Sequence, residues 1–271
     1  MNILEKIIEQ KKIEVAKNKV LHPVEILSAN EWFGRKTLSL KTFLQDKNKT
    51  GIIAEFKRRS PSKGVINDTS AVAAVTAAYT TNGASCLSIL TDEQFFGGSN
   101  QDLLEARFNE IPILRKDFII DEYQLTEAKA IGGDVILLIA ACLSVKRTQE
   151  LASFAKQLQM EVLLEIHTEE ELKHICDEVD IVGVNNRNLK TFSVDVNKSI
   201  ELGNMIGKIK IAESGINSVG MIHRFRDAGF SGYLMGELFM KEADPGEAFK
   251  DFVCRHYELP RALRRDMKID T

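Results

Sequence analysis

The chain has 271 residues, 44% of them hydrophobic and 28% charged, with a formal net charge of −3. This length and composition suit one large globular domain or two small ones, and the slight acidity gives no reason to expect nucleic acid or an anionic membrane as partner. The longest unbroken apolar run, Val135 to Leu143, is far short of the ~20 residues that cross a bilayer, and the N-terminus offers no apolar signal core. Cys86, Cys142, Cys176 and Cys254 stand far apart without metal-ligand spacing. Cys86 and Cys142, inside or beside apolar runs, read as buried thiols in a reducing cytoplasm. The histidines are equally scattered, so no metal site is expected.

Residues 1–50 are predicted to form a helical prefix without a strand of its own. Ile3, Leu4, Ile7 and Ile8 recur at helical spacing among Glu and Lys. His22-Pro23 breaks that helix, and Pro23 can open a second one through Ile26-Leu27. Ser39 to Leu44 is a third short helical turn, and Asp46 to Thr50 is a polar loop. Such a segment must lean on another body. It plugs a barrel, helps to close its mouth, or does both.

From Gly51 a rhythm begins. Strand-like apolar runs fall at Gly51–Lys57, Ser85–Leu90, Ile111–Lys116, Asp134–Ala140, Glu161–Ile166, Asp180–Asn185, Ile209–Glu213 and Ser231–Met235, each followed by a polar, helix-like segment. Asp121 with Gln124 and Thr168 with Glu171 have capping-box spacing, and Asp244-Pro245 is an N-cap followed by proline. Gly83, Gly132 and Gly229 mark helix ends. The pattern predicts an α/β fold, a single (β/α)8 barrel of the usual ~250-residue class. The alternative, an open doubly wound sheet, calls for a glycine-rich dinucleotide turn after an early strand, and none is present.

Barrel enzymes carry their functional groups at the C-terminal ends of the strands. Here the polar residues that interrupt the apolar runs fall at those ends: Glu55 and Lys57, Lys116, Glu165, Asn185 and Arg187, then Glu213 and Ser214. Ile53, Glu55 and Lys57 share one strand face. An acid and a base there either form an internal ion pair that fixes register or do chemistry. Gly215 and Gly236 each follow a strand and precede a helix. They permit tight turns, or, as a pair on consecutive final units, they offer backbone N–H groups to a phosphate. The charges of Lys57, Lys116 and Arg187 nearly cancel those of Glu55, Glu165 and Glu213. A lysine among carboxylates stays protonated and can serve as a general acid, and the carboxylates can exchange protons. A desolvated Schiff-base lysine remains open on this reading.

Several stretches together resemble the indole-3-glycerol phosphate synthase family: Ile53-Ala-Glu-Phe-Lys-Arg-Arg-Ser-Pro-Ser-Lys-Gly64, Leu87-Ser-Ile-Leu-Thr-Asp-Glu-Gln-Phe-Phe-Gly-Gly-Ser99, Pro112-Ile-Leu-Arg-Lys-Asp-Phe118, Gly183-Val-Asn-Asn-Arg-Asn-Leu189 and Ala212-Glu-Ser-Gly-Ile216. The resemblance runs from the N-terminal helices to near residue 255. It implies an N-terminal helical extension (1–50) beside the mouth of a (β/α)8 barrel (51–256), with a solvated charged tail (257–271). It implies a carboxy-lyase of tryptophan biosynthesis that needs no cofactor. Lys116 is then the general acid at the substrate carbonyl, Lys57 holds the substrate carboxylate and takes part in proton transfer, and Glu165 acts in dehydration. Glu55 orients and pairs with the lysines, while Asn185, Arg187, Glu213 and Ser214 position the substrate. Ser60 belongs to a mobile loop that closes over the site. Phe96 and Phe118 form the apolar wall for the anthranilate ring, and Gly215, Gly236 and the Glu237 amide cradle the phosphate. Relatives often have Ser or Ala near Glu237, which matters only if a hydroxyl is required. Asn186 stands where Ser is common and is expected to be a neutral replacement.

Two rivals make different demands. A neighbouring phosphate-binding isomerase calls for a Cys and Asp pair at strand ends, but Cys86 sits near a strand start. A catalytically dead scaffold barrel predicts loss of Lys57, Lys116 or Glu165, and all three are present. The expected partner is a small phosphorylated substrate. A monomer or a homodimer fits, with or without a non-covalent pathway partner, in the cytoplasm.

Overall fold

The computed structural model describes residues 2–187 and 193–256, so the expected tail and residues 188–192 lie outside the described residues. Eight parallel strands form a closed barrel: β1 (Ile52–Phe56), β2 (Cys86–Leu90), β3 (Ile113–Lys116), β4 (Val135–Ile139), β5 (Glu161–Ile166), β6 (Ile181–Asn185), β7 (Ile209–Glu213) and β8 (Gly232–Met235). Each pairs with the next, and β8 closes on β1 through Tyr233–Ile52, Leu234–Ile53 and Met235–Ala54. The expected (β/α)8 architecture is therefore the observed one, with each strand inside its predicted run. The strands are buried on both faces, which explains why they read as continuous apolar runs. Alternation still sorts their side chains. Ile53, Leu114, Leu137, Leu163 and Ile211 fill the barrel interior, whereas Ala54, Ile113, Ile136, Leu164 and Ala212 face the surrounding helices.

The outer layer comprises α4 (Val72–Thr81), α6 (Asn100–Ala106), α7 (Glu122–Ala130), α8 (Val145–Gln157), α9 (Val196–Asn204), α10 (Val219–Asp227) and α12 (Pro245–His256); α5 (Glu93–Phe96) and α11 (Glu237–Met240) are short turns at strand ends. The capping box at Asp121 opens α7 as expected. The one at Thr168 also forms, but it opens a 3-10 helix, Glu169–His174, in place of the α-helix that the rhythm implied. That helix stops at Ile175, whose backbone is extended, and the chain then turns directly into β6. The reading of Cys142 as a buried thiol also needs correction. Cys86 is buried inside the barrel, but Cys142, Cys176 and Cys254 are partly exposed.

The N-terminal helices are α1 (Ile3–Leu21), α2 (Val24–Ser28) and α3 (Leu40–Gln45). Helix α1 starts with a capping box from Asn2 and Glu5. Helix α3 lies under the N-terminal ends of the strands: Leu40 and Leu44 join the barrel-interior cluster, Ser39 Oγ donates to Glu161 at 2.5 Å, and Lys41 pairs with Asp180 at 2.7 Å. Helix α1 runs to the opposite end. The plugging and mouth-lining alternatives thus fall to different helices of the same extension. Among the described residues, no helix is long and apolar enough to cross a membrane.

Candidate active site

The C-terminal ends of the strands surround a cavity of about 380 Å³, and every sequence-predicted site residue borders it. Strand β1 contributes Glu55, and Lys57 follows two residues on; Lys57 Nζ is 2.5 Å from Glu55 Oε1. From β3, Lys116 Nζ lies 3.0 Å from Glu165 Oε2 on β5 and 3.8 Å from Glu213 Oε2 on β7. Glu55 contacts Lys57 directly and acts on Lys116 only through its field. Asn185 Nδ2 donates to Glu165 Oε1 at 2.9 Å, and Asn185 Oδ1 accepts the Arg187 N–H at 3.0 Å. The side chain of β6 that would fill the centre of this group is absent. A Cβ on Gly183 would meet Glu213 Oε1 at 2.0 Å, so only glycine leaves room for that carboxyl.

Burial alone would lower the pKa of Lys116, but the neighbouring acids, Glu165 foremost, outweigh it and hold the ammonium protonated. Burial likewise opposes ionisation of Glu165, yet Lys116, His167 and Asn185 hold its carboxyl well below the usual range. Glu213 goes the other way. Burial and the neighbouring Glu165 charge push it up, so the two acids divide their roles: Glu165 is ionised and Glu213 keeps its proton. This protonated ammonium argues against the Schiff-base alternative, which needs a desolvated neutral amine.

The phosphate-type end is built from backbone. Ser214 and Gly215 both have left-handed φ, +66° and +70°. A serine in that region is uncommon. The buried Asn186 holds it, donating Nδ2 to the Ser214 carbonyl at 2.7 Å. Asn186 thus makes a bond to the turn at the phosphate-type end that the expectation of a neutral replacement did not weigh. Gly236 caps α11 directly, but Gly215 is separated from α10 by the Ser218 cap, so only one of the two glycines adjoins a helix start. The Glu237 carboxylate points back to two cations, Lys63 Nζ at 3.4 Å and Arg187 Nη2 at 3.5 Å.

Over the mouth, residues 58–65 form a two-stranded ribbon, Arg59–Ser60 against Gly64–Val65. Arg58 pairs with Asp102 on α6, and Arg187 Nη1 donates to Ser62 Oγ at 3.3 Å. Ser60, on the ribbon itself, is buried, with Oγ 3.4 Å from Ser62 Oγ. Phe96 and Phe118 face each other with ring centroids 5.9 Å apart. Sequence reasoning missed that Ile3, Leu4 and Ile7 of α1 complete the apolar wall. Their helical stripe was legible, but nothing local says what covers it. It also missed His167, which is packed against Glu165 with Nε2 3.2 Å from Oε1. By contrast, Cys86 begins β2 in the closed interior and does not border the cavity, which leaves the isomerase rival without its acid-base pair.

The family model for indole-3-glycerol phosphate synthase matches residues 4–252. An indole-3-glycerol phosphate synthase of Bacteroides thetaiotaomicron is 47% identical over 255 residues, covering 93% of this chain and 98% of its own. One of Laribacter hongkongensis is 41% identical, covering 91% of this chain and 97% of its own. Among solved structures, a thiamine phosphate pyrophosphorylase from Pyrococcus furiosus aligns with a TM-score of 0.55 at 13% identity, over 82% of this chain and 99% of its own. At that identity the likeness speaks to the barrel fold alone. The family match spans nearly the whole chain and includes the strands that carry Glu55, Lys116, Glu165, Asn185 and Glu213, so this chain belongs to the indole-3-glycerol phosphate synthase family.

Proposed function

We propose that this chain closes the indole ring of 1-(2-carboxyphenylamino)-1-deoxyribulose 5-phosphate, releasing carbon dioxide and water to give indole-3-glycerol phosphate for tryptophan biosynthesis. The observation that carries this reading is the placement of Lys116 Nζ in the cavity, 3.0 Å from Glu165 and 3.8 Å from Glu213. As the ring carbon bearing the carboxylate bonds to the carbonyl carbon, Lys116 delivers a proton to the carbonyl oxygen. A fixed cation at that oxygen stabilises the charge that develops there. Carbon dioxide then leaves the same ring carbon, and its bonding pair restores aromaticity. The new hydroxyl departs as water, with Glu165 removing a proton and Lys57 taking part in the transfer.

The other residues position the substrate. Glu55 aligns Lys57 for the substrate carboxylate, and Asn185 holds Glu165. Arg187, Glu213 and Ser214 border the sugar, while Phe96 and Phe118 enclose the aryl ring. The backbone N–H groups near Gly215, Gly236 and Glu237 receive the phosphate. Lys63 and Arg187 neutralise the Glu237 carboxylate, so it does not repel that dianion. Ser60 and its ribbon shield the site from water. In this scheme residues 1–50 act as an extension of the barrel 51–256.

The test is indole fluorescence on mixing the protein with the carboxyphenylamino deoxyribulose phosphate. Wild type should form product, and Lys116→Ala should lose about 10²–10⁴-fold in kcat, the usual range for a general acid. Equal rates from both would remove Lys116 from the central role. No product from folded wild type would overturn the activity itself.

A further inference from the structure

Helix α1 brings a buried charge to the edge of the mouth. Lys11 is 0% exposed. Its Nζ lies 2.9 Å from Asp117 Oδ1, 3.1 Å from Asp92 Oδ2 and 2.9 Å from Glu14 Oε2. Burial would discharge an isolated ammonium, but Asp117, Asp92 and Glu14 outweigh it and keep Lys11 protonated. A cation inside a protein is stable only when so compensated, and removing it would leave three carboxylates facing one another.

Each aspartate has a second partner. Asp92 Oδ1 accepts the N–H groups of Phe95 at 2.8 Å and Phe96 at 3.3 Å, capping α5. Asp117 Oδ1 accepts the Phe118 N–H at 2.8 Å. Its Oδ2 accepts from the Thr91 hydroxyl at 2.7 Å and from Arg115 Nη2 at 3.3 Å. One ammonium therefore bridges the turn that carries Phe96 and the turn that carries Phe118. Arg115 supports Asp117 from the other side, but its remaining bonds go to Thr91, Glu127 and the Gln124 carbonyl, and none reaches Asp92. Lys116, next to Asp117 in the chain, has its own tether to Glu165.

We propose that Lys11 is a positioning residue that sets the spacing of Phe96 and Phe118, so that the N-terminal extension shapes the slot for the substrate's aromatic ring. This rests on reading the cavity as the site of a phosphorylated N-aryl amino sugar. Lys11 touches no substrate; it acts through the two aspartates. Its effect falls on ring binding and leaves the phosphate end, built on β7 and β8, as it is.

The test is Lys11→Met, measured by steady-state kinetics, by inhibition with inorganic phosphate and by a crystal structure of the variant. KM should rise about tenfold, the size expected when one aromatic contact pair is misplaced, with a smaller fall in kcat. Phosphate should inhibit as it does in wild type, and the ring centroids should move from 5.9 Å. Rings that stay in place, an unchanged KM, or an equal weakening of substrate and phosphate would each overturn the proposal. Should Lys11→Met fail to fold, Asp92→Asn keeps a capping oxygen but removes one charge of the bridge, and the same readouts apply in the same direction. A wild type that binds but never turns over would sink the activity, while the ring spacing in the variant would still decide the role of Lys11.

Discussion

Lys116, Glu165 and Glu213 show how one barrel floor holds an acid, a base and a neutral carboxyl within a few ångströms. With Glu213 protonated, the three groups carry no net charge. Burial and the charge of Glu165 push Glu213 up to about 8, so a second negative charge arrives only as the pH rises through that value. We expect kcat/KM to fall along an alkaline limb near pH 8. Glu213→Gln, neutral at every pH, should keep measurable turnover at pH 7 and lose that limb. Identical limbs in the two pH profiles would show that another group sets it. A second residue-level prediction concerns Asn186. Removing its bond to the Ser214 carbonyl frees a strained turn at the phosphate end. Asn186→Ser should cost ~0.5–1.5 kcal/mol of substrate binding, a few-fold to about tenfold rise in KM, with little change in kcat. An unchanged KM would return Asn186 to the neutral role expected of it.

The helices of the extension have separate tasks. Leu44 of α3 plugs the end of the barrel opposite the cavity, where a Cβ on Gly232 would meet its Cδ2 at 2.7 Å. Leu44→Ala should leave a void and cost ~2–4 kcal/mol, visible as a lower melting temperature with kcat and KM unchanged. A kinetic defect in this variant would contradict the division between α3 and α1. The strands were legible in the sequence because apolar runs between glycine and polar punctuation permit few other readings. The ring of strand-end residues was legible because charges that interrupt a buried strand need a reason. Lys11 was not legible. It sits in the run Gln10-Lys11-Lys12, where any lysine reads as solvated, and only the tertiary fold distinguishes it from the exposed Lys12 beside it. The same limit applies to Ile3 and Ile7, whose spacing gives a helix but no partner. At Thr168 the cap was legible and the type of helix was not, because a cap fixes where a helix starts and leaves open how tightly it winds.

Across the whole molecule, buried ion pairs make stability depend on pH at both ends of the scale. Burial opposes ionisation of Asp117, but Lys11 and Arg115 prevail and take it down to about 2 from 3.8. Its folded pKa is depressed, so its contribution is complete above the unfolded value and is lost as pH falls from about 4 through about 2. The shift corresponds to about 2 kcal/mol. His167 has the opposite sign. Burial would lower it, but Glu165 and Glu171 raise it to about 9 from 6.5. Its contribution is complete below the unfolded pKa and is lost as pH rises from about 6.5 through about 9, on the order of 3 kcal/mol. Urea unfolding of the wild type at pH 3, 5, 7 and 9 should therefore show separate acid and alkaline losses. Asp117→Asn should lessen only the acid loss and His167→Gln only the alkaline loss, because the groups are distinct and titrate in different windows. If both variants kept the wild-type profile, the pH dependence would arise elsewhere, first in the buried Glu165 and Glu213, whose carboxyls are shifted in opposite directions. If either variant flattened both limbs, the two clusters would be one coupled unit spanning the mouth from α1 to β5.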